Sequence, residues 1–72
     1  MDTLEATRTA RFGTQLRNLR TARGLTQEAL AARAGLSRGY TNALETGYCD
    51  DPSLSTLRAL ASALTVPVAA LL

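Results

Sequence analysis

The stretch LTQEALAARAGLSRGYTNALETG, Leu25 to Gly47, decides the architecture. Thr26 is a natural helix N-cap, because its hydroxyl can accept from a backbone N–H two or three residues on. Glu28 falls in the first turn that follows, where the helix dipole favours a carboxylate. Ala29 stands where a capping box would carry Glu or Gln, so that box is incomplete. Leu30, Ala31 and Ala34 make one apolar side, and Gly35 stops the helix. Leu36 fills the gap. Ser37 then caps a second helix, which runs to Glu45 or Thr46 and closes at Gly47.

Two helices of roughly eight residues joined by a short turn containing glycine have the geometry of a helix-turn-helix. A short turn holds the pair at a steep angle. Small Ala residues let the helices approach, and the second helix is left proud of the surface. A helix about 10–12 Å across fits the major groove of B-DNA, which is about 12 Å wide. The unit covers about residues 26–46, with 37–46 as the recognition helix.

Outward from this unit the chain remains helical. Residues 1–8 show no sustained period and read as a flexible arm or a frayed helix start. Thr9 offers a cap, and Phe12, Leu16 and Leu19 follow on one helical face, ended by Gly24. Tyr48 to Pro52 is a loop of turn formers. Pro52 and Ser53 open a fourth helix with the stripe Leu54, Leu57, Leu60, Ala61 and Leu64. Thr65 and Val66 break it, and Pro67 starts a last short helix, Val68 to Leu72. The expected fold is all-α, a compact five-helix bundle over residues 9–72.

Composition excludes several classes of function. A chain of 72 residues allows one small domain. Such a chain buries only about 60% of its unfolded surface and is marginal in stability without help. Its single cysteine, Cys49, cannot form a disulfide within the monomer and suits a reducing cytoplasm. Cys49 reads as an inert loop residue, since a redox switch needs a thiolate near positive charge and Asp50 opposes one. There is no His, which argues against zinc sites, His-based catalysis and, with few dispersed carboxylates, enzyme chemistry in general. No apolar run reaches a membrane span, and MDTLEATRTA lacks the form of a signal peptide. The expected location is cytoplasmic, on the nucleoid. No cofactor, metal or small-molecule effector is indicated.

The net charge of +2 hides a polarity. Residues 1–39 carry seven Arg against three acids, a local +4, and residues 40–72 carry one Arg against three acids, a local −2. The first half is the one suited to an anion, unless its arginines form only a solvated helix surface.

The ordered set of motifs resembles the Xre/Cro/phage-repressor family of helix-turn-helix domains, of the lambda-repressor-like type. The matching stretches are Leu16 to Arg20, Gly24 to Ala31, Gly35 to Arg38, Leu44 to Gly47, and Pro52 to Leu54 with Leu57. Size and the run Arg38-Gly39-Tyr40 are most similar to controller proteins of restriction-modification systems. The resemblance implies a role for each matching residue. Arg38, Ser37, Tyr40 and Asn42 would read bases, Arg38 through its planar fork on guanine. Gln27, Thr26, Thr46, Tyr48 and Arg17 would hold phosphates, with Gln27 also bracing the recognition helix. Arg20 and Glu45 would form a structural ion pair between the first and third helices. Plainer readings stand beside these: Gln27, Arg17 and Arg38 as solvated surface residues, and Tyr40 as a core-edge aromatic.

Three positions depart from the family pattern. Gly39 sits inside the recognition helix, where it costs about 1 kcal/mol relative to Ala and offers no side chain. Thr41 occupies a usually aliphatic site, which predicts looser packing. Asp50 and Asp51 replace basic residues and would repel a phosphate they faced.

The uncharged tail LTVPVAALL predicts a homodimer through Leu64, Val66, Val68, Leu71 and Leu72, unless Leu71 and Leu72 fold back onto their own core. The expected function is a dimeric, sequence-specific transcriptional regulator on a (pseudo)palindromic operator in double-stranded DNA. The alternative is an antitoxin-type or other protein-interaction helix-turn-helix module.

Overall fold

The computed structural model describes the backbone of residues 3–72 and the side chains of residues 11–72. Among the described residues four α-helices follow one another: α1 Thr3–Ala22, α2 Gln27–Ala34, α3 Arg38–Thr46 and α4 Leu54–Leu64. A 3-10 turn, Val68–Leu71, ends the chain. No strand occurs among the described residues. The fifth helix expected at Val68 to Leu72 is therefore a single 3-10 turn, too short to close an α-helical ladder.

The caps of the last three helices form locally. Thr26, Ser37 and Ser53 have extended backbones, and their hydroxyls accept from the N–H groups of Ala29, Tyr40 and Thr56 at 3.0, 3.0 and 3.2 Å. Pro52 thus precedes the cap and lies outside α4. The start of α1 differs more. It begins at Thr3 and does not wait for a cap at Thr9, so residues 3–8, read as a flexible arm or a frayed helix start, are helical; residues 1 and 2 lie outside the described residues. Leu, Glu, Ala and Arg in this stretch are good helix formers, and they extend the helix without any apolar period.

The turn between α2 and α3 depends on Gly35, whose φ of 72° is left-handed. This conformation lets the Leu36 N–H reach back to the Ala31 carbonyl at 2.8 Å, which folds the chain over and turns Leu36 onto the core. Thr65 does the same work at the end of α4 with φ 59°, where its N–H reaches Ala61 and Ser62. A β-branched residue pays about 1–2 kcal/mol for that region. Thr65→Gly is expected to raise stability by about 1 kcal/mol, read as a higher melting temperature.

The core is a leucine cluster. Leu16 of α1, Leu30 of α2, Leu44 of α3 and Leu60 and Leu64 of α4 are fully buried, and Leu71 closes it from the terminal turn. α1 packs on α3, α2 on α3 and α4, and the terminal turn on α4 and α1. Gln15 of α1 ties that turn down by donating to the Ala70 carbonyl at 3.0 Å.

Two expected stripes are corrected. Leu54 is 56% exposed and does not join the buried side of α4. Leu64 and Leu71 lie inside the monomer and have no surface to offer a second chain; only Leu72, at 82% exposure, points fully outward. Burying the two leucines at home removes apolar area from water without the entropic cost of association.

Thr41 is also fully buried. Its hydroxyl donates to the Ser37 carbonyl one turn back, at 3.0 Å, so the polar group is satisfied. The expectation of looser packing is not supported by any exposure at this position. Among the described residues, no helix is long and apolar enough to cross a membrane.

Candidate nucleic-acid interface

Helix α3 presents one polar side. Arg38, Gly39, Asn42 and Thr46 are exposed, while Thr41, Leu44 and Glu45 are buried. Spacings of four residues carry Arg38, Asn42 and Thr46 along one stripe. Ser37 stands at its head as an exposed cap. Tyr40 does not share the stripe: it is half-buried with its ring packed against the core, about 160° around the helix from Asn42. Gly39 has no reason in the fold itself, since a methyl there would meet nothing within 4 Å.

Beneath the stripe lies a hydrogen-bonded chain anchored on a buried ion pair. Arg20 Nε and Nη2 donate to the two carboxylate oxygens of Glu45 at 2.6 and 3.1 Å. Arg20 Nη1 donates to the Leu25 carbonyl at 2.7 Å. The side chains are 12% and 2% exposed, and the paired fork geometry is the strong form of the interaction. This pair joins α1 to α3 and pins the loop that enters α2. Gln27, the first residue of α2, extends it: its Nε2 donates to Glu45 Oε1 and to Asn42 Oδ1, each at 3.0 Å.

Gln27 therefore braces the recognition helix, but both of its side-chain N–H groups are spent. A phosphate accepts and does not donate, so this amide has no hydrogen left for one. The backbone N–H groups that open α2 beside Thr26 have no intrahelical acceptor, as at any helix N-terminus.

Two shallow recesses flank Gln27 and share it and Arg20. One is lined by Thr26, Glu28 and Arg38, the other by Thr14, Arg17, Asn42, Glu45 and Thr46. The fold thus brings Arg17, Thr26, Gln27, Arg38, Asn42 and Thr46 to one surface. Arg17 and Arg38 are exposed and form no ion pair with another described residue. Tyr48, 91% exposed, lies just past α3 in the loop.

Cys49 is half-buried against the core, and its N–H donates to the Ala43 carbonyl at 3.0 Å. Asp50 lines a different recess, with Arg11, Phe12, Gln15 and Leu57, which has no lining residue in common with the two around Gln27. No cluster of metal-ligating side chains occurs among the described residues.

One participant is not among the residues singled out from the sequence. Gly13 is buried where α1 crosses α3, and a Cβ there would lie 2.3 Å from the Glu45 carbonyl oxygen. A glycine in the middle of an otherwise good helix was the available clue, because it costs stability unless something passes close by.

A family model described as a helix-turn-helix domain matches residues 11–72. The chain belongs to the Xre and phage-repressor helix-turn-helix family. Within this helix-turn-helix family it is 43% identical over 56 residues to the uncharacterized HTH-type transcriptional regulator RghRB of Bacillus subtilis (strain 168). It is 44% identical over 59 residues to the immunity repressor protein of Bacillus phage phi105. Those matches take in 78% and 82% of this chain but 40% of each relative, so the chain spans about two-fifths of their length. The HTH-type regulator y4dJ of Sinorhizobium fredii is 44% identical over 75% of this chain and 69% of its own. Among solved structures, the restriction-modification controller protein C.AhdI from Aeromonas hydrophila superposes with a TM-score of 0.86. It is 42% identical, over 89% of this chain and 96% of that one.

Proposed function

We propose that the chain is a sequence-specific DNA-binding transcriptional regulator that acts as a homodimer in the cytoplasm. It occupies a two-fold symmetric operator, in keeping with its likeness to a restriction-modification controller and a phage repressor. The observation that carries this reading is the exposed Arg38–Asn42–Thr46 stripe, held up by the Arg20–Glu45–Gln27 chain beneath it. α3 enters the major groove. Arg38 reads a guanine through O6 and N7, with Asn42 one turn further along. Arg17, Thr46, Tyr48 and the N-terminal N–H groups of α2 hold the flanking phosphates. No chemistry is performed.

A gel-shift titration over salt tests this. Affinity should fall with a log–log slope near −0.9 per phosphate neutralised. Arg38→Ala should cost about 1–3 kcal/mol at the cognate site and relax preference at one base pair. If no DNA is retarded at low salt, the protein-interaction alternative takes its place.

The dimer face is revised by the burial of Leu64 and Leu71. What remains is Leu72 with Leu57, Phe12 and Pro52 around a shared recess, Leu54 one turn from Leu57, and the half-buried Val66 and Val68. A two-fold dimer matches successive half-sites when its recognition helices lie about 34–36 Å apart, or a multiple of that. Sedimentation at tens of micromolar should give a dimer, and Leu72→Asp a monomer. A monomeric unsubstituted chain would sink this part of the reading.

A further inference from the structure

The polarity of Asn42 is set from inside the protein. The Glu45 carboxylate has no proton to give, and its oxygens already accept from Arg20. Only the nitrogen end of the Gln27 amide can face it, as observed at 3.0 Å. The second N–H on that nitrogen points at Asn42, where only the carbonyl oxygen can accept, again at 3.0 Å. Turning Asn42 over would set N–H against N–H. Two exchangeable amide orientations, Gln27 and Asn42, are thus both dictated by one buried ion pair. Oδ1 of Asn42 is aimed back at α2, and its Nδ2 takes no partner among the described residues.

We infer that Asn42 reads DNA as a donor alone and selects guanine over adenine. Guanine shows two acceptors, O6 and N7, on its major-groove edge. Adenine shows N7 beside an N6 donor, and an asparagine recognises that edge with its carbonyl and amino ends together. Gln27 holds the carbonyl end here, so adenine loses half of its pairing. Gln27 is then a positioning residue whose effect is on specificity. The inference rests on the DNA-reading role proposed above.

The first test measures binding of the full chain to its selected site with each base pair varied in turn. Asn42→Ala identifies the pair that Asn42 reads, as the position whose discrimination disappears. Guanine is expected there over adenine by about tenfold. Gln27→Ala frees Asn42 to turn, and should bring the two bases within about threefold at that position. Adenine preferred at the Asn42 position overturns the inference. So does cognate binding in which no position responds to Asn42→Ala.

The second test needs no DNA. In nitrogen-15 spectra of the free protein, the Gln27 side-chain amide protons should exchange slowly and those of Asn42 at the rate of a solvated amide. The reverse pattern overturns the relay. A chain that retards no DNA overturns the function and this readout with it, while the amide spectrum still reports whether the relay exists, so the two failures are told apart.

Discussion

Glu45→Ala is expected to lower the unfolding free energy by about 3–5 kcal/mol. The Arg20 guanidinium, 12% exposed, would keep only the Leu25 carbonyl, and Gln27 would lose its carboxylate acceptor. A buried cation stripped of its counter-charge is one of the most costly defects a fold can carry. A domain of this size has roughly 4–11 kcal/mol in total at about 0.05–0.15 kcal/mol per residue, so much of its stability would go. Urea unfolding followed by far-ultraviolet circular dichroism gives the measurement, read as a lower midpoint. Removing both charges together, Arg20→Met with Glu45→Leu, should recover most of the loss, because neither charge is then left unpaired. A single Glu45→Ala loss below about 1 kcal/mol, the value of a surface pair, would mean that the ion pair does not support the α1–α3 junction.

Gly13→Ala is expected to cost about 3 kcal/mol, against the direction of helix propensity. In an isolated helix the change would gain about 1 kcal/mol. Here the added methyl would lie 2.3 Å from the Glu45 carbonyl oxygen and 2.8 Å from both the Glu45 carbonyl carbon and the Leu44 oxygen. All three are backbone atoms of α3, which cannot swing aside as a side chain does. α1 and α3 would have to part, disturbing both Leu16–Leu44 packing and the Arg20–Glu45 pair. Thermal unfolding should fall by about 4–8 °C for each kcal/mol lost. An alanine variant as stable as the parent would show that the crossing is looser than described.

The helix boundaries after Gly24 were legible because capping is local chemistry. A hydroxyl at Thr26, Ser37 or Ser53 finds its N–H three residues on whatever the rest of the chain does. The end of α4 was legible only as a break, since a threonine does not announce a left-handed conformation as glycine does. The start of α1 was missed for the opposite reason: good helix formers without an apolar period give a strong propensity and no face. Of the interface, Arg38, Asn42 and Thr46 could be placed on one stripe by counting, while the inward turn of Tyr40 depends on what the core leaves open.

The sequence by itself determined the caps, the glycine turn at Gly35, the leucine spacing and hence the helix-turn-helix. All of these are interactions within a few residues or periodicities along one helix. Tertiary structure decided which apolar residues the monomer keeps, Leu64 and Leu71 inside and Leu54 and Leu72 outside. It also decided that Gly13 is a crossing point and that Gln27 spends both N–H groups on α3. Those outcomes depend on distances between helices far apart in the chain, which periodicity along any one helix does not encode.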